Sequence, residues 1–511
     1  MEFPSYLVYA AAWLAALALL LKGFHLRRRN KLNPPPGPKA WPIIGNLNLI
    51  GALPHRSLHH LSQKYGPLMQ LKFGSHRVVV ASSVDMAKEF LKTHDVSFSG
   101  RPKTAAGKIT TYNYSDITWS QYGPYWRQAR KMCLVELFSV RRVESFEYIR
   151  IEETRLLSKA LYQSKGVAVN LKNHLAEVSL NVICRIVLGR RYLDGDDENA
   201  IVTPDEFKEM LEELFLLNGV LNIGDSIPWL GFLDLQGYVK RMKVLAKKFD
   251  RFLENVLDEH LSKKEAAGKE FVAKDMVDVL LQFADDPRND VKVTRTSVKA
   301  FTQDLMAGGT ESSAVTIEWA VSELLKTPEV FVKATEELDR VIGRQRWVEE
   351  KDIQNLPYIE AIVKETMRMH PVSPLLAPRR TREDVKINGY NIQAETNAFV
   401  NVWAIGRDPT LWDEPERFRP ERFIGKTIDV KGHDFELLPF GAGRRMCPGY
   451  SLAIKIIQSS LANLLHGFTW KLPAGEDLNM EEIWGLSTPR KFPLVAVPEP
   501  RLPNHLYNAK C

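Results

Sequence analysis

The chain has 511 residues and a formal net charge of only +7. It is longer than one small core requires and has no low-complexity break after the N-terminal segment, so we expect one large folded domain. Because no basic block is interleaved with aromatic residues, we expect no nucleic-acid partner. The four cysteines have no Cys-x-x-Cys spacing, which argues against a disulfide framework and a structural zinc site. Cys133 and Cys184 are expected to be small buried hydrophobes.

An uninterrupted apolar run, Tyr6–Leu21, stands near the N-terminus and is followed by a basic cluster, Lys22–Lys31. The run approaches the roughly 20 residues that span a bilayer. Basic residues after the run place the rest of the chain in the cytosol. A cleaved signal peptide carries its charge before the apolar core and fits less well. We therefore predict a transmembrane anchor at 1–24, then a basic stop-transfer segment and proline-rich hinge at 25–40.

The remainder of the chain, 41–511, is predicted to be a single catalytic domain. Short β-like runs at Leu68–Phe73 and Arg77–Ala81 give way to long amphipathic segments, so the fold is expected to be mainly α with a small β region. No fixed-period repeat is present. The charged stretch 253–296 is interpreted as solvated helix and loop rather than as a linker.

The longest periodic segment, about 297–326, predicts a helix on the order of 45 Å. Gly308 and Gly309 lie in its middle, where each costs about 1 kcal/mol relative to alanine. Close packing against a neighbouring helix would explain the two glycines. It does not explain the acid and the hydroxyl that follow, Glu311 and Ser312, which we therefore regard as candidate catalytic residues.

A ten-residue loop near the C-terminus, Phe440–Gly449, presents Cys447 between glycines just before an apolar helical run. Gly443 and Gly449 allow backbone angles and close approaches that a side chain would block. Backbone amides and Arg445 are expected to favour thiolate over thiol. This arrangement is typical of a thiolate ligand to haem iron.

The pattern Phe-x-x-Gly-x-Arg-x-Cys-x-Gly in this loop resembles the haem-binding loop of the cytochrome P450 monooxygenases, in the form common in plants. The resemblance extends over nearly the whole chain. It implies the mainly α cytochrome P450 fold, one haem b whose iron is bound by Cys447, and dioxygen as a substrate. Ala307–Ser312 is similar to the family's oxygen-binding segment, with Glu311 as its acid. Here Ser312 replaces the usual threonine, so the hydroxyl lacks its methyl group.

Two further motifs gain meaning from this resemblance. Glu365 and Arg368 share one helix face, and with Arg422 they resemble the family's buried Glu-Arg-Arg triad, which has a structural role. Without that context, an exposed ion pair would be the ordinary interpretation. Trp126 and Arg130 resemble the family's Trp-x-x-x-Arg element, which contacts a haem propionate; a basic helical patch is the local alternative for Arg130.

Further propionate contacts are expected from Arg445 and, by family position, from Arg379 and His433. The substrate pocket is expected to draw on mostly apolar or small segments, namely 104–117, 215–218, 304–307, 373–377 and 484–488. These segments vary freely around a fixed core, so the resemblance does not identify the substrate.

The resemblance implies a monooxygenase anchored in the endoplasmic reticulum membrane, with electrons from NADPH through a cytochrome P450 reductase. Basic residues expected to dock that reductase are Lys131, Arg141, Arg142 and Arg444. The chain is similar to flavonoid 3′-hydroxylase-like enzymes and to a terpenoid-oxidising branch that includes homoterpene-forming enzymes, which cleave a C–C bond. A lipophilic secondary metabolite is expected; phenolic or terpenoid, and hydroxylation or cleavage, stay open.

Other functions are also consistent with a haem-binding chain. A haem-thiolate hydroperoxide lyase or dehydratase would need neither dioxygen nor reductase, but such relatives generally lose the acid and hydroxyl that Glu311 and Ser312 retain. A non-catalytic, membrane-tethered haem-binding protein would have no use for the oxygen-binding segment. A cysteine hydrolase is disfavoured because no histidine stands in a recognised motif with Cys447.

Overall fold

The computed structural model describes residues 13–18, 33–191 and 202–508, and these are mainly helical, as predicted. The helices are α1 (13–18), α2 (Pro54–Tyr65), α3 (Val84–Lys88), α4 (Ala105–Thr110), α5 (Pro124–Met132), α6 (Val140–Ser145), α7 (Glu147–Gln163), α8 (Leu171–Leu188), α9 (Pro204–Gly219), α10 (Ile223–Ser226), α11 (Tyr238–Ala267), α12 (Met276–Ala284), α13 (Arg295–Lys326), α14 (Pro328–Val341), α15 (Pro357–Met369), α16 (Val402–Ile405), α17 (Tyr450–Gly467) and α18 (Asn504–Asn508). The 3₁₀ segments are Leu47–Leu49, Pro228–Leu233, Gly268–Glu270, Glu350–Asn355 and Pro420–Phe423. The π-helical turns are Glu89–Thr93 and Cys133–Leu137.

The β region is small and consists of three separate sheets. Its strands are β1 (Leu68–Phe73), β2 (His76–Ala81), β3 (Val169–Asn170), β4 (Arg379–Arg380), β5 (Val385–Ile387), β6 (Tyr390–Ile392), β7 (Asn397–Val400), β8 (Phe468–Lys471) and β9 (Val495–Pro500). They form sheets in the orders β1-β2-β7-β4, β3-β9-β8 and β5-β6. The two β-like runs of the sequence are confirmed as the antiparallel pair β1 and β2.

The long central helix is confirmed as α13, a continuous element of 32 residues. It begins after a capping box in which the Thr294 side chain accepts a hydrogen bond from the backbone N–H of Ser297. Most of its residues are buried, since it packs against α8, α11, α15 and α17. At the usual rise this helix is about 48 Å long, so it crosses the whole core.

The two glycines in the middle of α13 serve different purposes. A Cβ atom on Gly309 would overlap the Cδ1 and Cγ1 atoms of Ile183 in α8, so close helix packing accounts for this glycine. A Cβ atom on Gly308 would meet nothing within 4 Å. Packing therefore explains only one of the two glycines, and Gly308 borders open space on another side of the helix.

The described part of the hinge is bound to the β region. Residues 33–40 are extended, and the carbonyl oxygen of Pro36 accepts a hydrogen bond of 2.8 Å from the backbone N–H of Gln70 in β1. The Asn33 side-chain amide donates to the carbonyl oxygen of Gly389 at 3.1 Å. Of the predicted anchor at 1–24, only 13–18 lies within the described residues. None of the helices described has the length and apolar character needed to cross a membrane.

Two expectations about composition have different outcomes. Cys133 and Cys184 are fully buried free thiols, as predicted, and Cys511 lies outside the described residues. The stretch 253–296 is only partly solvated, because α12 lies within it and buries an unbroken apolar run, Val279–Leu281, together with Met276 and Val277. Because acidic residues surround this short helix in the sequence, its buried apolar face was not predicted.

Replacing Gly309 by alanine is expected to lower the free energy of unfolding by about 1–3 kcal/mol, because Ile183 must move to admit the new Cβ atom. The matched variant Gly308→Ala is expected to raise it by about 1 kcal/mol, since alanine is the better helix former and has room there. Denaturant unfolding of both variants measures the difference. Equal effects in the two variants, or no recovery when Ile183→Val is added to Gly309→Ala, would contradict the packing argument.

Candidate active site

The cysteine loop turns at Gly443 and returns to form one backbone hydrogen bond. Gly443 has φ = +70°, and a Cβ atom there would overlap the carbonyl oxygen of Leu91. The backbone N–H of Cys447 donates to the carbonyl oxygen of Phe440 at 3.0 Å. Gly449 has an ordinary φ of −87°, so the expected need for unusual backbone angles applies to Gly443 and not to Gly449. A side chain at 449 would instead point at the Phe138 ring.

Burial raises the pKa of the Cys447 thiol. The backbone N–H of Gly449 and the positive charge of Arg130 act in the opposite direction. Arg130, rather than the expected Arg445, is thus the guanidinium that favours the thiolate. A metal ion bound at the sulfur would favour the thiolate, as is usual for cysteine ligands.

Arg445, a residue of this loop, is half-buried, and no carboxylate among the described residues is bonded to it. Its guanidinium donates to the backbone carbonyl oxygens of Ser99, Ile117 and Ser120 at 3.0, 3.3 and 2.6 Å. Its Cζ atom lies 4.3 Å from the ring centroid of Trp126. Burial, together with the charges of Arg101 and Arg379, lowers the pKa of Arg445 to about 8. The site therefore holds a positive charge that lacks its counter-ion.

Three further arginines surround this charge. Arg101 donates to the carbonyl oxygens of Thr118, Ala377 and Pro378, and burial lowers its pKa to about 9. Arg379 is paired with Asp95 at 3.0 Å and donates to the carbonyl oxygen of Ala442 at 2.9 Å. Among the described residues, Arg130 has no hydrogen-bond or ion-pair partner, and burial lowers its pKa. We name these residues, with Arg445, the arginine cluster: Arg101, Arg130, Arg379 and Arg445.

Arg101 escaped the sequence analysis because it lies in no motif that was considered. Asp304 was predicted only as part of the pocket segment 304–307; its carboxylate instead accepts hydrogen bonds from the backbone N–H groups of Ile117 and Thr118 at 2.9 and 3.0 Å. Burial raises the pKa of Asp304 to about 6. This aspartate holds the segment whose carbonyl oxygens bind Arg445 and the Trp126 indole N–H. It therefore positions two of the predicted site residues from a third element.

Two predicted contacts have a different environment from the arginine cluster. The indole N–H of Trp126 already donates to the carbonyl oxygen of Ile117 at 3.2 Å, so its ring supports Arg445. His433 is exposed, next to Gly432, which approaches the backbone of Gly441. No described residue hydrogen-bonds to the His433 ring, and its role stays a prediction.

The predicted catalytic pair lies on α13 after Gly308. Burial raises the pKa of Glu311, while a hydrogen bond with Ser487 acts against this shift. One carboxylate oxygen of Glu311 is buried without a hydrogen-bond partner among the described residues. The Ser312 hydroxyl donates to the carbonyl oxygen of Gly308 at 3.0 Å. An acid that keeps its proton at higher pH and a hydroxyl are thus adjacent beside the open side of Gly308.

Glu365, Arg368 and Arg422 are brought together in one buried network. The Glu365 carboxylate accepts from Arg368 at 2.7 and 2.8 Å and from Arg422 at 3.0 Å. Both arginines also donate to carbonyl oxygens in the segment 406–417 that precedes the cysteine loop. The side chains are almost completely buried, so the alternative of an exposed surface pair is wrong.

A large open cavity lies between the β region and the helical part, with mainly apolar walls. Four of the predicted pocket segments contribute to it, through Thr104, Asn218, three residues of 373–377 (Ser373, Leu375 and Leu376), and Trp484 to Leu486. The sequence did not indicate its other wall, which comes from α2, β1, β7 and the segment after α9; representative residues there are Leu58, Phe73, Phe399 and Leu221. The cavity suits a lipophilic molecule.

A family model described as cytochrome P450 matches residues 35–496. The chain belongs to the cytochrome P450 family. Trimethyltridecatetraene synthase of Zea mays is 52% identical over 94% of this chain and 91% of its own length. Dimethylnonatriene synthase of Zea mays is 48% identical (98% and 97%), and flavonoid 3′-monooxygenase of Petunia hybrida is 44% identical (99% and 100%).

A solved zebra fish cytochrome P450 with progesterone superposes with a TM-score of 0.75 at 27% identity, covering 88% of this chain and 100% of that chain. These comparisons confirm the mainly α cytochrome P450 fold and the predicted resemblance to plant monooxygenases. The chain is a cytochrome P450 monooxygenase, and its family implies haem with a cysteine thiolate ligand.

The residues present fit that cofactor. Haem b carries two carboxylates, and two members of the arginine cluster, Arg130 and Arg445, have no carboxylate bonded to them among the described residues. Arg130 and Arg445 would hold the propionates, and Cys447 would bind the iron. Gly308 on α13 leaves its side of the helix open, since a Cβ atom there would meet nothing within 4 Å.

Removal of the Glu365 carboxylate by Glu365→Gln is expected to destabilise the fold by about 3–5 kcal/mol, because Arg368 and Arg422 would stay buried without their anion. We expect little haem-loaded protein, measured as haem absorbance per protein. The control Glu360→Gln removes the partner of Lys364 on the same helix, where the carboxylate is 46% exposed. That change should cost under about 1 kcal/mol. Equal haem content in the two variants would contradict a structural role for the triad.

Proposed function

We propose that this monooxygenase oxidises an acyclic terpenoid and breaks a carbon–carbon bond in doing so. The observation that carries the proposal is the order of similarity, with 52% and 48% identity to the two synthases named above and 44% to a flavonoid 3′-monooxygenase. The hydrocarbons in the synthases' names do not contain whole multiples of the five-carbon isoprene unit. Forming such products from a terpenoid requires loss of part of the carbon skeleton.

The walls of the cavity support a flexible lipophilic substrate. Leu58, Phe73, Leu376, Phe399 and Leu486 supply apolar surface, which makes up most of the wall, although polar side chains also line the cavity. Such a site orients a hydrocarbon chain by shape and exclusion of water rather than by many hydrogen bonds. Selectivity then depends on which carbon the cavity holds nearest the cofactor.

Haem, when bound, supplies the activation of dioxygen. The chain's own residues would deliver the protons. Glu311 holds a proton more tightly than an exposed glutamate because it is buried. Ser312 would pass protons to the cofactor side through its hydroxyl, which now donates to the carbonyl oxygen of Gly308. Without the methyl group of threonine, this hydroxyl has greater rotational freedom.

Electrons would come from NADPH through a membrane-bound reductase that docks beside the cysteine loop. Lys131, Arg141 and Arg444 are exposed, and Arg142 is half-buried. Leu134, Val135 and Val140 add exposed apolar surface to the same region of the chain. A basic face with apolar contacts suits an acidic flavoprotein surface.

An exposed apolar region at the end of the hinge supports attachment to the endoplasmic reticulum membrane. Ser75, in the β1–β2 turn, donates to the carbonyl oxygen of Ser226 at the end of α10, and Gly74 donates to that of Ile44, so the segment that follows the hinge and the end of α10 flank the same turn. Exposed large side chains on these segments form what we call the aromatic patch: Trp41, Ile43, Leu49, Trp229, Phe232, Leu233 and Leu235. A patch rich in tryptophan and phenylalanine suits the membrane interface.

The assignment of cofactor and substrate is tested with microsomes that contain the protein and its reductase. Wild-type protein, after reduction and addition of carbon monoxide, should give the shifted band of thiolate-bound haem, and Cys447→Ala should lose it. With NADPH, acyclic sesquiterpenoids and diterpenoids should yield shorter hydrocarbons, identified by gas chromatography and mass spectrometry. Ser312→Ala should release more hydrogen peroxide per NADPH consumed.

Absence of the shifted band from folded wild-type protein would contradict the thiolate assignment. Hydroxylation of the flavanone naringenin without turnover of any terpenoid would establish the phenolic alternative. Product formation that needs a hydroperoxide and no NADPH would favour the lyase alternative instead.

Membrane contact by the aromatic patch is tested with spin labels on the full chain in nanodiscs, after replacement of Cys511 by serine. A label at Phe232→Cys should collide more often with dioxygen than with an aqueous nickel chelate, because Phe232 is 82% exposed within the patch. A control label at Val332→Cys, a site 50% exposed on α14, should show the reverse. An aqueous signature at position 232 would contradict the proposal.

A further inference from the structure

His260 of α11 presents both of its ring nitrogens to hydrogen-bond acceptors. Nδ1 lies 2.7 Å from the carbonyl oxygen of Val256, one turn earlier in the same helix. Nε2 lies 3.1 Å from Oδ2 of Asp275, the residue that precedes α12. The histidine is only 3% exposed, so these two contacts, rather than water, satisfy its ring.

Two acceptors around one imidazole define its protonation state. A carbonyl oxygen only accepts hydrogen bonds, and so does an ionised carboxylate. A neutral ring carries one N–H and would turn a lone pair toward the second acceptor, whereas an imidazolium donates from both nitrogens. The contacts at His260 therefore require a proton on each ring nitrogen when the Asp275 carboxylate is ionised.

The Asp275 carboxylate lies where three helices meet. It is the N-cap of α12, where its Oδ1 accepts a hydrogen bond of 2.9 Å from the backbone N–H of Asp278. An aspartate that accepts backbone hydrogen bonds at a helix N-terminus is ordinarily ionised. Gly189, the left-handed cap of α8, approaches the other oxygen so closely that a Cβ atom there would lie 2.5 Å from Oδ2. Asp275 thus connects α8, α11 and α12.

His260 is the positive charge that faces the acids of this junction. Asp278 is a second buried carboxylate there, and its Oδ2 accepts from the backbone N–H of Lys274 at 3.0 Å. Burial acts to lower the pKa of His260, but the hydrogen bond and charge of Asp275 outweigh it, so the pKa is raised. Neighbouring charged side chains that follow α8 or lie on α11 are paired with other groups: Arg190 with Glu259, and Lys264 with Asp285.

The junction supports helices that form the wall of the substrate cavity. α11 packs against α4, α9 and α13, while α12 packs against α8 and α13. Thr104 at the start of α4 and Asn218 of α9 both line the cavity. The contact between His260 and Asp275 therefore ties the helix that supports this wall to α8 and α12.

We propose that His260 and Asp275 form a proton-dependent clamp, in which the doubly protonated ring joins α11 to the α8–α12 junction and loss of one proton loosens it. Deprotonation would place a lone pair opposite the carboxylate and leave two buried acids without a facing cation. The clamp does not involve the substrate, so it holds or fails independently of the proposed function.

The sign of the pH dependence follows from the two states of the ring. An unfolded histidine has a pKa of about 6.5. Because the pKa of His260 is raised in the folded protein, the stabilisation is fully present below about 6.5 and is lost as the pH rises through the folded value. A metal ion held by His260, Asp275 and Asp278 would act in the opposite direction, since metal ligands must be deprotonated.

The experiment measures amide hydrogen exchange of the ferric holoenzyme by mass spectrometry between about pH 6 and about pH 8.5, corrected for intrinsic exchange rates. Wild-type peptides from 253–267 and from α12 should lose protection several-fold as the pH rises, equally with and without EDTA. Peptides from α7, which contains no histidine, should keep their protection. These arms need only wild-type protein and so do not depend on whether a variant folds.

Variants then locate the proton. His260→Gln removes the charge, and Asp275→Asn removes its partner while keeping an N-cap acceptor; both should lose the pH-dependent part of the protection. The control His466→Gln replaces a buried histidine of α17 that contacts only one acceptor, the carbonyl oxygen of Arg346, among the described residues. It should leave the pH dependence of α11 and α12 unchanged.

Protection that falls with rising pH in wild-type protein and in His466→Gln, but not in His260→Gln, supports the clamp. Wild-type protection that does not vary with pH, or a fall that persists in both His260→Gln and Asp275→Asn, would overturn it. Protection that rises with pH, increases with added zinc chloride and decreases with EDTA would assign the junction to a metal ion and overturn the proton-dependent clamp as well.

Discussion

Uncompensated positive charge beside the cysteine loop is the constraint on which the site depends. The guanidinium groups of Arg101, Arg130, Arg379 and Arg445 come from separate segments; three of them bind backbone carbonyl oxygens, whereas Arg130 has no such partner among the described residues. In the part of the chain that the structure describes, only Asp95 is directly bonded to one of them, Arg379. Like charges repel one another, so a bound anion would stabilise the arrangement of α5, β4 and the loop. The cofactor's carboxylates are then part of the folded architecture as well as of its chemistry.

The Glu365 network also consists of buried charged side chains, but it does not depend on a ligand. There the charges are bonded to one another, and the remaining N–H donors reach carbonyl oxygens of the segment 406–417, so the network is nearly complete without any ligand. In the arginine cluster, by contrast, the positive charges are not all paired within the protein. The protein thus contains a charged network that is paired within itself and binds the segment before the cysteine loop, and a cluster whose charge is balanced only by what it binds.

Structural features that depend on residues close together in the sequence could be predicted, and contacts between residues far apart in the sequence could not. The length of α13, the turn at Gly443 and the pairing of Glu365 with Arg368 follow from spacing within a few residues. Gln303 and Thr110 are 193 residues apart, and the sequence near either residue does not predict the hydrogen bond between the Gln303 amide and the Thr110 carbonyl oxygen. The contacts of Arg101 could not be predicted either, since its carbonyl partners lie in two other segments of the chain. The burial of α12 was missed because flanking acids outweighed its apolar run.

The attachment of the hinge to β1 has a consequence for how the enzyme meets its substrate. Pro36 and Asn33 are hydrogen-bonded to the β region, so the direction in which the chain leaves the globule is fixed relative to the cavity wall at Phe73. With the aromatic patch in lipid, the cavity would open toward the phase in which a terpenoid dissolves. The relevant concentration is then moles of substrate per mole of lipid. Apparent KM values expressed per volume of water would rise as lipid is added, although the affinity of the site is unchanged.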